Sequence, residues 1–419
     1  MAPSYSRGII GVLVAALLIG MVRLWQVPPE FHKGQTDNYW PMAQGLLDGK
    51  GFSLCYPLYF PLCSGQNNAS AMREPLPVVL FAGVAAITGR SLQAALVLQL
   101  IAHLAIVLLL YRWVRSFASE RWALIAATVW ALYPPSLQTV PQLSGDLIGT
   151  ALFLAAAIAT QRARDKGRAD AWAVAGVLLG LAVLCRSVLI ITVLPWAVLA
   201  WRSATGGQRR SRLAAAALVG CMALIVSPWV VRNAVVFHRF WPGTSMNGYN
   251  LFRNNYQVRD GQPPHYVAAI EAQEMMNALL ARRTDLRGYE NEAEMDRVYM
   301  EEGRKALAAN PMGYVTLSLY RFIPLWTNWG VPQQYGRPVT LFDHAMLWQQ
   351  LLLLVLLIFG AWRAGPVAWP WLAAIVLQVL AYMAVVAQVR YLLPVMPLVI
   401  GMAVWGLSGG RSKTIPAKG

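Results

Sequence analysis

Residues 171–201 read AWAVAGVLLGLAVLCRSVLIITVLPWAVLAW, 31 residues in which Arg186 is the one charged side chain. A basic cluster lies on either side: Arg162, Arg164, Lys166 and Arg168 before it, and Arg202, Arg209, Arg210 and Arg212 after it. Basic loop residues stay on the cytoplasmic side of a membrane, so an even number of crossings must separate the two clusters. The stretch therefore reads as two short helices of about 15 residues each, roughly 23 Å long against a hydrocarbon layer of ~30 Å. Arg186 marks the turn between them. That turn sits sunken below the outer surface, where a snorkelling guanidinium finds water or an anion.

The whole chain has the same character. Of 419 residues, 57% are hydrophobic and 13% charged, against about 45–50% and a quarter in ordinary soluble domains. Aromatic residues reach 11%, with 17 Trp, and the mean hydropathy is +0.46. This excludes a disordered chain, a collagen and an ordinary soluble globule. The net charge of +16 comes from 35 Lys and Arg against 19 Asp and Glu. The basic residues sit in short loops between apolar runs, so they are topology signals and not a nucleic-acid surface.

Working outward gives an all-α polytopic membrane protein, a single membrane-embedded unit over 1–419. Ten crossings are expected: Gly8–Trp25, Ser91–Tyr111, Trp122–Leu137, Asp146–Gln161, Ala171–Cys185, Ser187–Trp201, Leu213–Val231, Ala345–Trp362, Val367–Ala387 and Tyr391–Leu407. The first follows Arg7 and reads as a retained anchor, not a cleaved signal. Arg112, Arg115, Arg121, Arg363 and the tail residues Arg411, Lys413 and Lys418 complete the cytoplasmic set. Pro75–Gly89 is short and Pro-flanked, and counting it would turn the Arg112 cluster outward, so it is expected as an outer-surface or re-entrant helix. Two long regions then face outward. One is 26–90, the first outer loop with juxtamembrane helices. The other is 232–344, which holds ten of the 19 acidic residues between Asp260 and Glu302. Within it, Tyr266–Arg283 and Tyr289–Ala309 read as amphipathic helices. Tyr314–Trp329, broken by Arg321 and Pro324, reads as an interfacial helix with an aromatic belt.

Chemistry-bearing residues are few. Asp37, in Thr36-Asp37-Asn38-Tyr39-Trp40, and Asp146, in Leu143-Ser144-Gly145-Asp146, each suit a helix N-cap, and each is equally a carboxylate that could act as general base toward a hydroxyl at the membrane surface. Glu74 lies in Arg73-Glu74-Pro75. Arg73, Arg186 and Arg390 are the cations of the outer side. Snorkelling is the ordinary fate of such arginines; the alternative is a phosphate pocket with bidentate contacts. The histidines His32, His103, His238, His265 and His344 show no metal-ligand spacing, and His103 reads as a satisfied core residue. No nucleotide loop, internal repeat or Ser-His-Asp arrangement is present. Asn68-Ala69-Ser70 matches a glycosylation triplet that arises often by chance. Cys185 and Cys221 read as small core residues. Cys55 and Cys63 are either two free thiols or, in an oxidising outer compartment, a disulfide that shapes the first loop; the disulfide is the expectation taken forward.

Taken together, these stretches resemble the GT-C superfamily of polytopic glycosyltransferases, in the branch of protein O-mannosyltransferases and the lipid A aminoarabinose transferase. Asp37-Asn38-Tyr39 through Leu46-Leu47-Asp48-Gly49-Lys50-Gly51-Phe52 is similar to the family's first outer loop, with its essential acid. Arg73-Glu74-Pro75 is similar to its Arg-x-Pro approach to a juxtamembrane helix, and Gly176–Arg186 to its Gly-x-x-x-Gly-x-x-x-Leu-x-Arg helix. Pro228-Trp229-Val230-Val231-Arg232-Asn233, Asn310-Pro311 and Arg390-Tyr391-Leu392-Leu393-Pro394 follow in the family's order.

The resemblance implies a polyprenyl-phosphate-linked sugar donor and a glycan, lipid or protein acceptor, with membrane lipids around the chain and no nucleic acid. It implies a bacterial plasma membrane location with the site on the periplasmic side, and inversion at the sugar. Asp37, with Asp146 and Glu74 as further acids, would be catalytic, and Arg73, Arg186 and Arg390 would hold the donor phosphate. No metal site and no cofactor follow from the sequence, and assistance by a divalent cation is left open. A transporter or flippase of lipid-linked sugars, or an enzyme like an O-antigen ligase or polymerase, is the alternative. The topology is testable: a cysteine placed at Thr205 is expected to be labelled only in permeabilised cells, and labelling in intact cells would overturn it.

Overall fold

Long runs of Leu, Ala, Val and Ile without Pro favour helices, and helices satisfy every backbone amide internally where no water is at hand. The computed structural model describes residues 6–26, 38–56, 68–203, 207–258, 269–283, 292–331 and 338–409. Over these residues the chain is helical, with an isolated antiparallel bridge between Ser53 and Ala69 and no strand.

The elements follow in order. α1 (Arg7–Gln26) precedes the short α2 (Tyr39–Leu47). α3 (Pro75–Ile87) carries Pro75 and Pro77 in its first turn, where no amide is missed. α4 (Leu92–Arg115) is capped by Ser91, which accepts from the Ala94 N–H, and ends on Arg112 and Arg115. α5 (Glu120–Ala131) ends short of Pro134-Pro135, which open α6 (Pro134–Thr139). α7 (Asp146–Lys166) and α8 (Ala169–Val183) lead to a 3-10 turn, Ser187–Thr192, and then to α9 (Val193–Ser203). The expected break of 171–201 at Arg186 is therefore present.

α10 (Gln208–Phe237) contains Pro228. α11 (Asn247–Asn255), α12 (Ala269–Arg282), α13 (Glu292–Ala309), α14 (Pro311–Tyr320) and α15 (Phe322–Thr327) fill the long loop region. The last helices are α16 (Leu341–Ala364), α17 (Trp369–Val385) and, after a 3-10 turn at Val389–Leu392, α18 (Met396–Ser408).

Ten crossings are expected from the sequence, and that number is not established. Among the described residues four segments are long and apolar enough to cross a membrane: Arg7–Gln26, Leu92–Arg115, Gln208–Phe237 and Leu341–Val385. The last is α16 and α17 joined through Gly365–Ala368. The other expected spans are shorter for visible reasons. Trp122–Leu137 is broken by its two prolines. Residues 171–201 are interrupted by the 3-10 turn Ser187–Thr192, and 391–407 begin in another, leaving apolar helices of 10–17 residues. α7 is long enough but closes on Arg164 and Lys166.

One face of α16 shows what surrounds the bundle. Trp348, Leu352, Val355, Ile358 and Trp362 recur at three-to-four spacing and are 57–77% exposed. Water would not tolerate such a stripe, whereas lipid would. Inside, Trp196 stacks on Phe153 at 5.4 Å and meets Trp371 edge-on at 5.8 Å. His103 is a core residue as expected, buried and hydrogen-bonded to the Ser136 hydroxyl at 3.0 Å.

Helices approach closely through small residues. A Cβ on Gly176 of α8 would run into the Leu218 carbonyl of α10, and one on Gly180 into Ile225. This is small-residue packing of the kind that lets helices meet in lipid. The two glycines fix the axis of α8 and hence where its C-terminal end, next to Arg186, points. Gly220, on the same α10, has nothing near its Cβ position. Gly176→Ala is expected to destabilise the purified protein by about 1–3 kcal/mol through overpacking. Gly220→Ala should be neutral or stabilising by up to ~1 kcal/mol. Thermal unfolding in detergent checks both.

Candidate active site at the Arg186 turn

The turn after α8 is a junction of four segments. Asp146, the first residue of α7, places its carboxylate 2.9 Å from the Arg186 guanidinium, the pair being 1% and 12% exposed. Glycines on either side of Asp146 admit the turn: a Cβ on Gly145 would strike the Cys185 carbonyl, and one on Gly149 would press on Cys185 and Arg186. Glu74 holds the N-cap position of α3 but turns its carboxylate elsewhere. Its Oε2 accepts from the Tyr39 hydroxyl at 2.9 Å, and its Oε1 from the Ser187 N–H at 3.2 Å and hydroxyl at 3.3 Å. Next to it, the Leu76 N–H donates to the Leu184 carbonyl at 3.1 Å.

Aromatic rings gather the cations. The Arg186 and Arg390 guanidinium carbons lie 5.0 Å and 5.3 Å from the centroid of the Tyr391 ring, which itself stacks on Tyr382 at 4.9 Å. Arg73 lies 5.8 Å from the Tyr39 ring. Arg390 Nε also donates to Gln388 at 2.9 Å. Arg73, Arg186 and Arg390 all line one cavity of about 600 Å³, together with Glu74 and Tyr391. Two like charges sharing one ring repel each other unless a counter-charge lies near, and Asp146 supplies one for Arg186.

The expected site residues thus fall into two groups. Arg73, Glu74, Arg186 and Arg390 meet at the cavity, with Asp146 directly behind Arg186. Asp37 lies outside the described residues. The residue that occupies the N-cap of α2 is Asn38, at φ 65°, and its side chain makes no capping bond. Asp146 does not cap α7 either; Gly145 holds that position. Tyr391, Tyr382 and the polar face of α11 are site features that sequence reasoning misses. Adjacency of Tyr391 to Arg390 is a usable signal, but the pairing with Tyr382 is not visible locally. Among the described residues no group of three His, Cys, Asp or Glu comes together as a metal site. Cys55 is disulfide-bonded, as expected; Cys63, its expected partner, lies outside the described residues.

The loop regions are tied over the cavity by buried polar anchors. Glu292, at the start of α13, accepts from the Ser70 hydroxyl at 2.9 Å, the Ser245 hydroxyl at 2.6 Å and the Ala71 N–H. Ser70 of the glycosylation triplet is therefore buried in a structural contact. One turn on, Asp296 accepts from the Tyr249 N–H at 3.0 Å. The Arg232 guanidinium donates to the Phe52 carbonyl at 3.1 Å and lies 5.0 Å from the Trp229 ring. Asn310 caps α14 by accepting from the Gly313 N–H at 2.9 Å and donates to the Val258 carbonyl at 3.2 Å.

Residues 73–231 match the family described as dolichyl-phosphate-mannose-protein mannosyltransferase. The apo crystal structure of the Archaeoglobus fulgidus oligosaccharyltransferase overlays with a TM-score of 0.55 at 16% identity, covering 96% of this chain and 50% of that one. The oligosaccharyltransferase AglB of the same organism, in complex with an inhibitory peptide and a dolichol-phosphate, gives 0.54 at 15% over 96% and 50%. Apo ArnT from Cupriavidus metallidurans gives 0.40 at 14% over 96% and 77%. The chain spans about half the length of the archaeal enzymes it matches. Among curated proteins, no sequence matches. The fold is that of the GT-C glycosyltransferases, in agreement with the resemblance carried by the sequence motifs.

Burial pushes the carboxyls of Glu292 and Asp296 up to about 7, from 4.5 and 3.8. The folded state thus binds protons more tightly than the unfolded one. Stability is greatest below the unfolded values, falls as pH rises toward about 7, and is level above that. For Glu292 the full span corresponds to about 3 kcal/mol. Glu292→Gln is expected to flatten much of the fall in unfolding temperature between pH 5 and pH 7.5. An unchanged slope would contradict the assignment.

Proposed function

We propose that the protein transfers a sugar from a polyprenyl-phosphate carrier to an acceptor hydroxyl at the outer face of a bacterial plasma membrane. The observation that carries this reading is the convergence of Arg73, Arg186 and Arg390 on one cavity, two of them against Tyr391 and one anchored on Asp146. AglB, whose fold the chain shares, is known in complex with an inhibitory peptide and a dolichol-phosphate, which supports a lipid-linked donor.

In this mechanism the acceptor hydroxyl gives its proton to Asp37 and its oxygen bonds the anomeric carbon. The bond from that carbon to the phosphate oxygen breaks on the far side, so the sugar inverts. The electron pair leaves with the polyprenyl phosphate, whose growing charge the three arginines stabilise by pre-organised contacts. Asp146 fixes Arg186, and Glu74 fixes the turn that carries it. Asp37 stands two residues before Tyr39 in the sequence, and the Tyr39 hydroxyl bonds Glu74.

Asp37→Asn is expected to lower turnover by about 10²–10⁴ with donor binding near normal. Arg186→Ala leaves Asp146 buried without its partner and should destabilise the fold by about 3–5 kcal/mol as well as weaken donor binding, with Arg186→Lys restoring only part. Arg390→Ala removes a guanidinium that touches the Tyr391 ring and Gln388 and should weaken donor binding, read against the unfolding temperature of the same sample. Donor affinity, turnover and unfolding temperature on the same samples separate these effects. A folded Asp37→Asn protein with normal turnover would sink the base assignment.

A further inference from the structure

Two walls of the cavity are polar. The turns around Arg73, Arg186 and Arg390 make one. The other is α11, which contributes Asn247, Asn250, Arg253 and Asn254, with Tyr249 and Leu251 at its edges; Val188, Ala381, Val385 and Val386 make an apolar side. Their spacing of three and four places them on one side of the helix. The other side is packed: Tyr249 meets the Tyr299 ring of α13 edge-on at 5.8 Å, and Phe252 stacks on it at 5.9 Å. A Cβ on Gly248 would collide with the Asp296 carbonyl. α11 is thus anchored by its apolar side and leaves its amide side to the cavity.

Four asparagines and a glycine in nine residues, NGYNLFRNN, make a poor helix by intrinsic propensity. Helix stability does not account for them. Two of the cavity asparagines spend their amide N–H locally: Asn247 donates to the Thr244 carbonyl at 3.2 Å and Asn254 to the Asn250 carbonyl at 2.9 Å. Their amide oxygens remain as acceptors. The Asn250 side chain, half-buried, makes no hydrogen bond among the described residues, so it offers both an acceptor and donors. The amides of this wall suit neither a phosphate, which wants cations, nor a hydrocarbon tail. They suit hydroxyls, which donate and accept.

We propose that α11 is the sugar-reading wall of the site, with Asn250 and the amide oxygens of Asn247 and Asn254 hydrogen-bonding the hydroxyls of the donor sugar, and that it selects a neutral, hydroxyl-rich sugar against an amino sugar. This rests on the lipid-phosphate donor reading above. Selection against an ammonium follows from charge. Arg73, Arg186, Arg253 and Arg390 line the cavity, four cations against Glu74, whose oxygens are both engaged, Asp146 spent on Arg186, and the proposed base Asp37.

The test measures binding of three probes to the full chain in nanodiscs: undecaprenyl phosphate, its glucose derivative and its glucosamine derivative. Wild type should bind the glucose lipid more tightly than the glucosamine lipid. Asn250→Ala should lose about three- to tenfold on the glucose lipid, the weight of a lost hydrogen bond, while affinity for undecaprenyl phosphate and the unfolding temperature stay unchanged. Asn250→Asp, of the same shape, should shift preference toward the glucosamine lipid. Equal binding of all three probes by Asn250→Ala and wild type, or a wild-type preference for glucosamine, would overturn the inference. Failure of wild type to bind undecaprenyl phosphate at all would instead overturn the donor reading, and the sugar wall with it.

Discussion

A charge buried among apolar helices must be paired, and the contact between Arg186 and Asp146 is the constraint around which this bundle is arranged. Taking two ions out of water costs several kcal/mol each, returned only by close approach. Close approach here needs Gly145, where a Cβ would strike the Cys185 carbonyl, and is eased by Gly149, where one would press on the Cys185 and Arg186 side chains. It also needs α8 to arrive at the correct depth, which Gly176 and Gly180 set against α10. Glu74 then clasps the turn from the opposite side of the chain through Ser187. Buried ion pairs are weak contributors to stability. The service of this one is to hold a guanidinium at the edge of a cavity.

The same logic recurs above the bundle. The region between α10 and α16 has a small apolar core around Met246, Tyr249, Met276, Met295 and Tyr299, too modest to position much by itself. Its geometry comes from buried polar struts. Glu292 ties the first loop to the segment before α11, and Arg232 ties the first loop to α10. Arg321 is 5% exposed and donates to the Met383 and Ala384 carbonyls at 3.3 Å and to that of Asn254. It thereby joins the end of α11 to the end of α17, next to the turn that carries Arg390 and Tyr391. Both cavity walls are thus fixed by arginines or carboxylates reaching between segments distant in sequence.

This division explains what is legible in the chain. Composition and the charge clusters reveal the apolar helices, and the parity of basic loops locates the break at Arg186 from residue order alone. The amphipathic helices around 269–282 and 292–309 are visible from spacing. What stays hidden is pairing at long range. Asp146 resembles a cap because its local sequence suits one, yet its partner lies 40 positions away. Arg321 resembles an interruption in an interfacial helix and is a strut. α11 is amphipathic but only nine residues long and rich in asparagine, so poor propensity hides it in the sequence, and tertiary packing of Tyr249 and Phe252 overrides that propensity. Trp122–Leu137 reads as one span because its hydropathy is continuous, although Pro134-Pro135 interrupts the hydrogen-bond ladder.

The central claim is that the sunken Arg186, held by Asp146, receives the donor phosphate. The most direct measurement is a structure of the full chain in lipid nanodiscs with undecaprenyl phosphate added. The account predicts phosphate oxygens at about 2.7–2.9 Å from the Arg186 guanidinium, with Arg390 on the same group and the Asp146 contact intact. A phosphate seated elsewhere on the chain, with Arg186 touching Asp146 alone, would contradict it.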